Sequence, residues 1–148
     1  MTIEIGPLRP DEQARWAELW RGYLDFYERT LPDSRYESTW RRLLVGSEIA
    51  GLGARQDGRL VGITHYLFHH HTWSDDVCYL QDLFVDASVR GHGIARSLIG
   101  AVAKIAGAHG CPRLYWLTSH ANAPARLLYD QIATWKGHIR YDYNGPLA

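Results

Sequence analysis

Val77-Cys78-Tyr79-Leu80-Gln81-Asp82-Leu83-Phe84-Val85, a four-residue link and then Arg90-Gly91-His92-Gly93-Ile94-Ala95-Arg96 read in order as an apolar run, a short loop and glycines that open a helix. The run over 77–85 has the length of a central strand. Past it, Ile94, Leu98, Ile99, Val102, Ile105 and Ala106 keep helical spacing until Gly107 and Gly110 stop the helix. Backbone N–H groups at a helix start are unpaired and sit at the positive end of the dipole, and glycines let a ligand approach them closely. The expected ligand is an anion, with phosphate foremost. A P-loop would need Gly-Lys-Ser/Thr at the end of the turn, and a dinucleotide fingerprint would need a small residue where Arg96 stands. Neither is present.

Upstream, the segments over 48–56 and 59–69 flank Asp57-Gly58, a pair that tolerates positive φ and predicts a hairpin. Trp16, Leu19, Trp20, Tyr23, Leu24 and Tyr27 make one aromatic face of a helix over 12–28, more a core stripe than a ligand box. Pro32 breaks that helix, and a shorter one is expected from about Ser38. Thr2 to Ile5 alternate as an edge strand ended by Pro7 and Pro10. Downstream, 113–118 reads as a buried strand. Asn122 is expected to cap a helix with Pro124 in its first turn and Ala125, Leu128, Tyr129 and Ile132 on one face. A last strand is expected over 138–143. The order implies an α/β (α+β) fold: a mixed sheet with helices on both faces.

The 148 residues suit one domain, 1–148, and no repeat interrupts it. Sixteen Lys and Arg balance sixteen Asp and Glu, and the pI near 7.1 offers no general attraction to nucleic acid or anionic membrane. Cys78 and Cys111 do not suggest a disulfide framework, and no apolar run reaches membrane-helix length, so a cytoplasmic protein is expected. His69, His70 and His71 point in different directions along a strand end and lack a carboxylate or Cys at ligand spacing, so no metal is expected.

Arg90, Gly93 and Ala95, following the strand and opening the amphipathic helix, resemble the pyrophosphate loop of the GNAT superfamily of N-acetyltransferases. Asn122-Ala123-Pro124-Ala125-Arg126-Leu127-Leu128-Tyr129 resembles that family's Asn-x-x-Ala-x-x-x-Tyr helix. The run from Leu19 to Glu28, Leu114-Tyr115-Trp116 and Ile139-Arg140-Tyr141 look like its small histone and amino-acid acetyltransferase branch, with spermidine/spermine acetyltransferases as close relatives. The resemblance implies a mostly antiparallel sheet and acetyl-CoA in a cleft where two strands splay. Its pantetheine arm would lie on Leu83, Phe84 and Val85, its pyrophosphate on Gly91, His92, Gly93, Ile94, Ala95 and Arg96 beside Arg90, and Asn122 would contact the cofactor. The acceptor would meet Gln81, Tyr115, Trp116, Leu117, Phe26 and Tyr27. Tyr129 is the implied general acid. The aromatic C-terminal strand is expected to pair across a homodimer, as in relatives.

An alkylammonium has a pKa near 10.4 and must lose a proton before it attacks a thioester. Many polyamine-acetylating relatives carry Glu where this chain has Gln81, and an amide accepts no proton at useful pH. Either the proton passes through water to another group, with Asp82, His120 and Glu28 as candidates, or the substrate arrives as free amine. The expected activity is acetyl transfer to a primary amine of a small molecule, an amino acid or a polyamine-like compound. Protein or histone lysine acetylation is the in-class alternative, and a non-catalytic acyl-CoA-binding sensor the alternative of another class.

Overall fold

Asp57 and Gly58, at φ 51° and 85°, turn β2 (Ala50–Gln56) back onto β3 (Arg59–His69) as the sequence predicts. The computed structural model describes residues 2–148. Its elements run β1 (Ile3–Pro7), α1 (Gln13–Phe26), α2 (Asp33–Val45), β2, β3, β4 (Val77–Val85), α3 (Ile94–His109), β5 (Leu114–Tyr115) and α4 (Ala123–Ile132). Two units are distinguished, one ending at Leu117 and one from Thr118 to Ala148. The first holds a five-stranded sheet in the order β1-β2-β3-β4-β5, antiparallel throughout except for the parallel pair β4-β5.

Register explains how one sheet serves two helical layers. Opposite Ala54 and Arg55, β3 passes from Gly62 to Leu60 and leaves Val61 as a bulge. That extra residue puts Leu60 and Ile63 on one face, where both join the core of Trp16, Leu19, Trp20, Tyr36, Trp40 and Leu43 from α1 and α2. Gly62 looks the other way: a Cβ there would meet Ile94 and Leu98 of α3 at 3.2 Å, so helices cover both faces. Trp16 stacks at 5.2 Å from Trp20 and lies tilted 5.0 Å from Trp40, so Trp16, Leu19 and Trp20 of the aromatic face are core, with Tyr23 and Leu24 packed against them and Tyr27 exposed. Arg55, 1 % exposed, donates to both Glu12 oxygens at 2.6 and 2.8 Å and to the Pro7 carbonyl at 2.7 Å. Burial alone would raise the Glu12 carboxyl; the Arg55 guanidinium overrides it and holds that group below its ordinary range.

Pro7 ends β1 as expected while still pairing with Leu52, which an edge strand permits. Other boundaries shift. Helix α1 is shorter than 12–28, since Pro10–Glu12 is a 3-10 turn and the chain leaves the helix after Phe26. Helix α2 starts at Asp33 rather than near Ser38, because Pro32 takes the cap position and Tyr36 already points into the core. Gly107 lies inside α3, which stops at Gly110 in the left-handed conformation. The strand expected over 113–118 is the two residues of β5, half-buried rather than buried. Residues 138–143 form no strand, for they find no ladder partner, and Ile139, Tyr141 and Tyr143 stand exposed.

Candidate active site

The short β5 has its cause in β4. Where β3 passes from His65 to Tyr66, β4 passes from Asp82 to Leu80, so Gln81 is a bulge, with its side chain exposed. A bulge bends its strand. Pairing with β5 stops at Tyr79 and Tyr115, while β4 runs on to Val85 without that neighbour. The ladder phase says which groups face the gap. The Asp86 N–H donates to the Val61 carbonyl at 2.8 Å, and bonded pairs alternate, so Phe84 and Asp82 also face β3. The backbone N–H and C=O of Leu83 and Val85 therefore point away from β3, to the side that β5 has vacated. Arg90 marks it, donating from Nε to the Val85 carbonyl at 2.9 Å with its guanidinium 5.1 Å from the Phe84 ring.

The loop after β4 is fastened at its start. The Asp86 carboxylate accepts from the Ser88 N–H and hydroxyl, both at 2.9 Å, and from Arg15 at 2.6 Å. The Ser88 N–H first, then Arg15, draws that carboxyl down to about 2. Gly91 and Gly93 then adopt left-handed φ of 85° and 78°, and nothing lies within 4 Å of where a Cβ would stand on either. The first bond within α3 runs from the Ser97 N–H to the Gly93 carbonyl at 3.0 Å, so the N–H groups of its opening turn have no acceptor inside the helix. His92 is exposed beside them, Ile94 is buried and anchors the turn, and Ala95 is half-buried. The arrangement is an open cradle of amides at the positive end of a 16-residue helix.

Next to the bulge lies a polar chain that sequence reading did not assemble. Trp16 Nε1 donates to His65 Nε2 at 2.9 Å, and His65 Nδ1 is 2.8 Å from Asp82 Oδ2. Tyr23 hydrogen-bonds Asp82 as well; burial first and the Asp82 charge second push its phenol well above the usual range. Only a histidine placed in the otherwise apolar run Gly62-Ile63-Thr64-His65-Tyr66-Leu67-Phe68 hinted at it.

Other expected site residues are more scattered. Phe26 and Tyr27 are exposed at the end of α1, Tyr27 packing edge-on to Tyr23 at 5.0 Å. Tyr115 stacks on Tyr79 at 4.9 Å and its hydroxyl bonds His69 Nε2 at 2.8 Å; Trp116 is half-buried and Leu117 exposed. His70 bonds Asp76 at 2.8 Å and His71 takes Arg113 at 3.0 Å, so the three histidines do diverge, but the first of these finds a carboxylate the sequence did not suggest. Among the described residues no three His, Cys, Asp or Glu side chains are arranged to hold a metal.

In the second unit, Asn122 occupies the position before α4, but its side chain does not cap the helix. Its Nδ2 instead donates to Thr118 Oγ1 at 3.3 Å, while its carbonyl accepts from the Arg126 N–H. Tyr129 lies seven residues on, half-buried in the last turn. His120 gives its carbonyl to Arg126 at 3.0 Å, whose guanidinium lies 5.5 Å from the Trp135 ring.

A strand that runs on without its neighbour past a bulge, followed by a glycine-led helix, leaves backbone amides open to an anionic ligand. Residues 16–133 match the acetyltransferase (GNAT) family model, and the chain belongs to that family. It aligns at 31 % identity over 148 residues, 97 % of its length and 91 % of the relative's, with the D-amino-acid N-acetyltransferase HPA3 of Saccharomyces cerevisiae. It is 32 % identical over 96 residues to thialysine N-epsilon-acetyltransferase of Bos taurus, covering 65 % of this chain and 56 % of that one. The fold matches that of AAC(6')-Iy solved with the bisubstrate analog CoA-S-monomethyl-acetylneamine, at TM-score 0.87 and 21 % identity over 99 % of both chains. The protein is an acyltransferase whose acyl donor is acetyl-CoA. The open amide cradle and the vacated edge of β4 fit that donor, since one suits a diphosphate and the other an amide-bearing arm. Among the described residues no helix is long and apolar enough to cross a membrane.

Proposed function

We propose that this enzyme acetylates the primary amine of a small molecule, an amino acid or polyamine-like compound, by direct attack, with residues 1–148 acting as one catalytic domain. The observation that carries the reading is β4 continuing past its last pair with β5 into the Gly91–Gly93 turn. Relatives named for D-amino acids and thialysine support a small acceptor. When bound, acetyl-CoA supplies an activated acetyl group whose C–S bond breaks as the new amide C–N bond forms. Leu83, Phe84 and Val85 line the pantetheine arm, with the backbone of Leu83 and Val85 turned to its side of β4. Gly91, His92, Gly93, Ile94, Ala95 and Arg96 offer amides to the diphosphate, with Arg90 at the edge, and Asn122 contacts the donor. Gln81, Phe26, Tyr27, Tyr115, Trp116 and Leu117 border the acceptor.

Of the three candidate proton acceptors, Asp82 is the one held in place by two donors beside the bulge, and we assign it the role. Its carboxylate takes one proton from the substrate ammonium and becomes a neutral acid, leaving an amine lone pair for attack. Tyr129 gives its phenolic proton to the departing sulfur, and the second proton that the nitrogen sheds as the amide forms passes through water to restore the phenol. Purified protein, shown by calorimetry to bind acetyl-CoA, is expected to release thiol with members of a panel of amino acids, diamines and lysine peptides. Release with lysine peptides alone would establish the protein-acetylating reading. Binding without release across the panel would make the chain an acyl-CoA sensor.

We also propose a cytoplasmic homodimer. Both cysteines are free, and Trp135, Ile139, Tyr141 and Tyr143 leave an apolar stretch exposed that a strand of a second copy would cover. Light scattering is expected to give twice the 16.9 kDa chain mass. A monomer at high concentration would reject the dimer.

A further inference from the structure

We infer that His65 is a positioning residue for the reaction, a fixed uncharged donor that aims Asp82 while leaving the carboxylate its full negative charge. The inference rests on the assignment of Asp82 as proton acceptor, and its geometry is independent of that assignment. An indole N–H donates and never accepts. At 2.9 Å from Trp16 Nε1, His65 Nε2 must therefore present its lone pair. The ring proton is then on Nδ1, which donates to Asp82 Oδ2 at 2.8 Å. A second proton on the ring would have to enter at Nε2, against the Trp16 N–H, and would forfeit that bond.

The surroundings reinforce this tautomer. His65 is 4 % exposed, and its ring lies 6.0 Å from Trp16 and 5.9 Å from Trp20, both from α1. Neither indole carries a charge. On the Asp82 side the facing groups are His65 from β3 and Tyr23 from α1, seven residues past Trp16 and hence on the same helix face. Two neutral donors from two elements thus fix the carboxylate, whose side chain remains 18 % exposed on its outer edge. An imidazolium in the same place would have cancelled the charge that attracts a substrate ammonium. A neutral imidazole orients without cancelling.

The test separates orientation from folding and from the acetyltransferase assignment. In protein without ligand, long-range 1H–15N NMR at neutral pH is expected to show His65 protonated on Nδ1 and not on Nε2. An Nε2–H ring or an imidazolium would overturn the inference, whatever the enzyme acetylates. His65→Leu removes the donor; His65→Asn keeps an uncharged N–H near the Nδ1 position. For the best amine of the panel, His65→Leu is expected to lower kcat/KM about ten- to a hundredfold, the scale of a lost hydrogen bond to a charged group. KM for acetyl-CoA should stay unchanged, and His65→Asn should recover most of the loss. Equal activity in all three proteins, or equal loss in both variants, would overturn a positioning role. Wild-type protein that binds acetyl-CoA yet acetylates nothing would instead refute the proposed reaction while leaving the tautomer result standing.

Discussion

Replacing Asp82 by asparagine is expected to lower turnover of the amine by about 10²–10⁴-fold, the range that a positioned general base contributes. The size follows from the acceptor's own chemistry. With a pKa near 10.4, an alkylammonium at pH 7 exposes its lone pair in only about one molecule in a few thousand. Asparagine keeps the shape, and its oxygen still accepts from His65 Nδ1, so the packing around β3 and β4 is preserved. What it loses is the ability to take a proton or to hold a charge. Raising the pH toward about 10 supplies free amine without a base, so the deficit should shrink steadily as pH rises. Acetyl-CoA affinity, measured by calorimetry, should not change. A deficit that stays constant with pH would mean that Asp82 only shapes the site. An undiminished rate at neutral pH would pass the proton to Glu28 or His120.

Asp82 is one of three equal choices in the sequence, and the contacts that hold it, from His65 and Tyr23, are visible only in the structure, which shows where local signals end. Strands β3 and β4 have the bounds that their composition and the Asp57-Gly58 turn announce, and β2 ends where expected but starts two residues later, at Ala50, because turn signals are carried by adjacent residues. Gly91 and Gly93 are legible as glycines that open a helix, and the structure adds a left-handed φ at each. The bulge at Gln81 is not legible. No glycine or proline marks it, and it exists only as a mismatch in register between β3 and β4. Its consequence, the truncation of β5 to two residues, was therefore hidden too. The apolar residues over 113–118 look like a full strand until their partner bends away. His65 was missed for another reason. Its partners, Trp16 and Asp82, lie 49 and 17 residues off in opposite directions, and a histidine in a buried strand has no pattern that names them. The segment over 138–143 alternates as a strand should, but alternation supplies a face and not a ladder neighbour.

Tyr129→Phe is expected to lower kcat by about 10²–10⁴-fold with KM for acetyl-CoA unchanged, if the phenol protonates the departing sulfur. The substitution removes one oxygen from a half-buried ring, and a thermal melt of both proteins separates any change in the fold from the change in rate. The proton inventory fixes how the loss should behave. A phenol has a pKa of about 10 and a thiol about 8.5, so full transfer from one to the other is uphill by roughly 2 kcal/mol. Donation therefore helps only while the C–S bond is breaking and negative charge gathers on sulfur. An acetyl thioester whose thiol is more acidic needs less of that help, and with such a donor the wild-type and Tyr129→Phe enzymes should converge. Asn122, just before α4, and Tyr129, seven residues on in its last turn, supply the motif from which the role is assigned. An unchanged kcat with every donor would take the phenol out of the reaction and leave the sulfur to depart unprotonated, which its modest basicity permits.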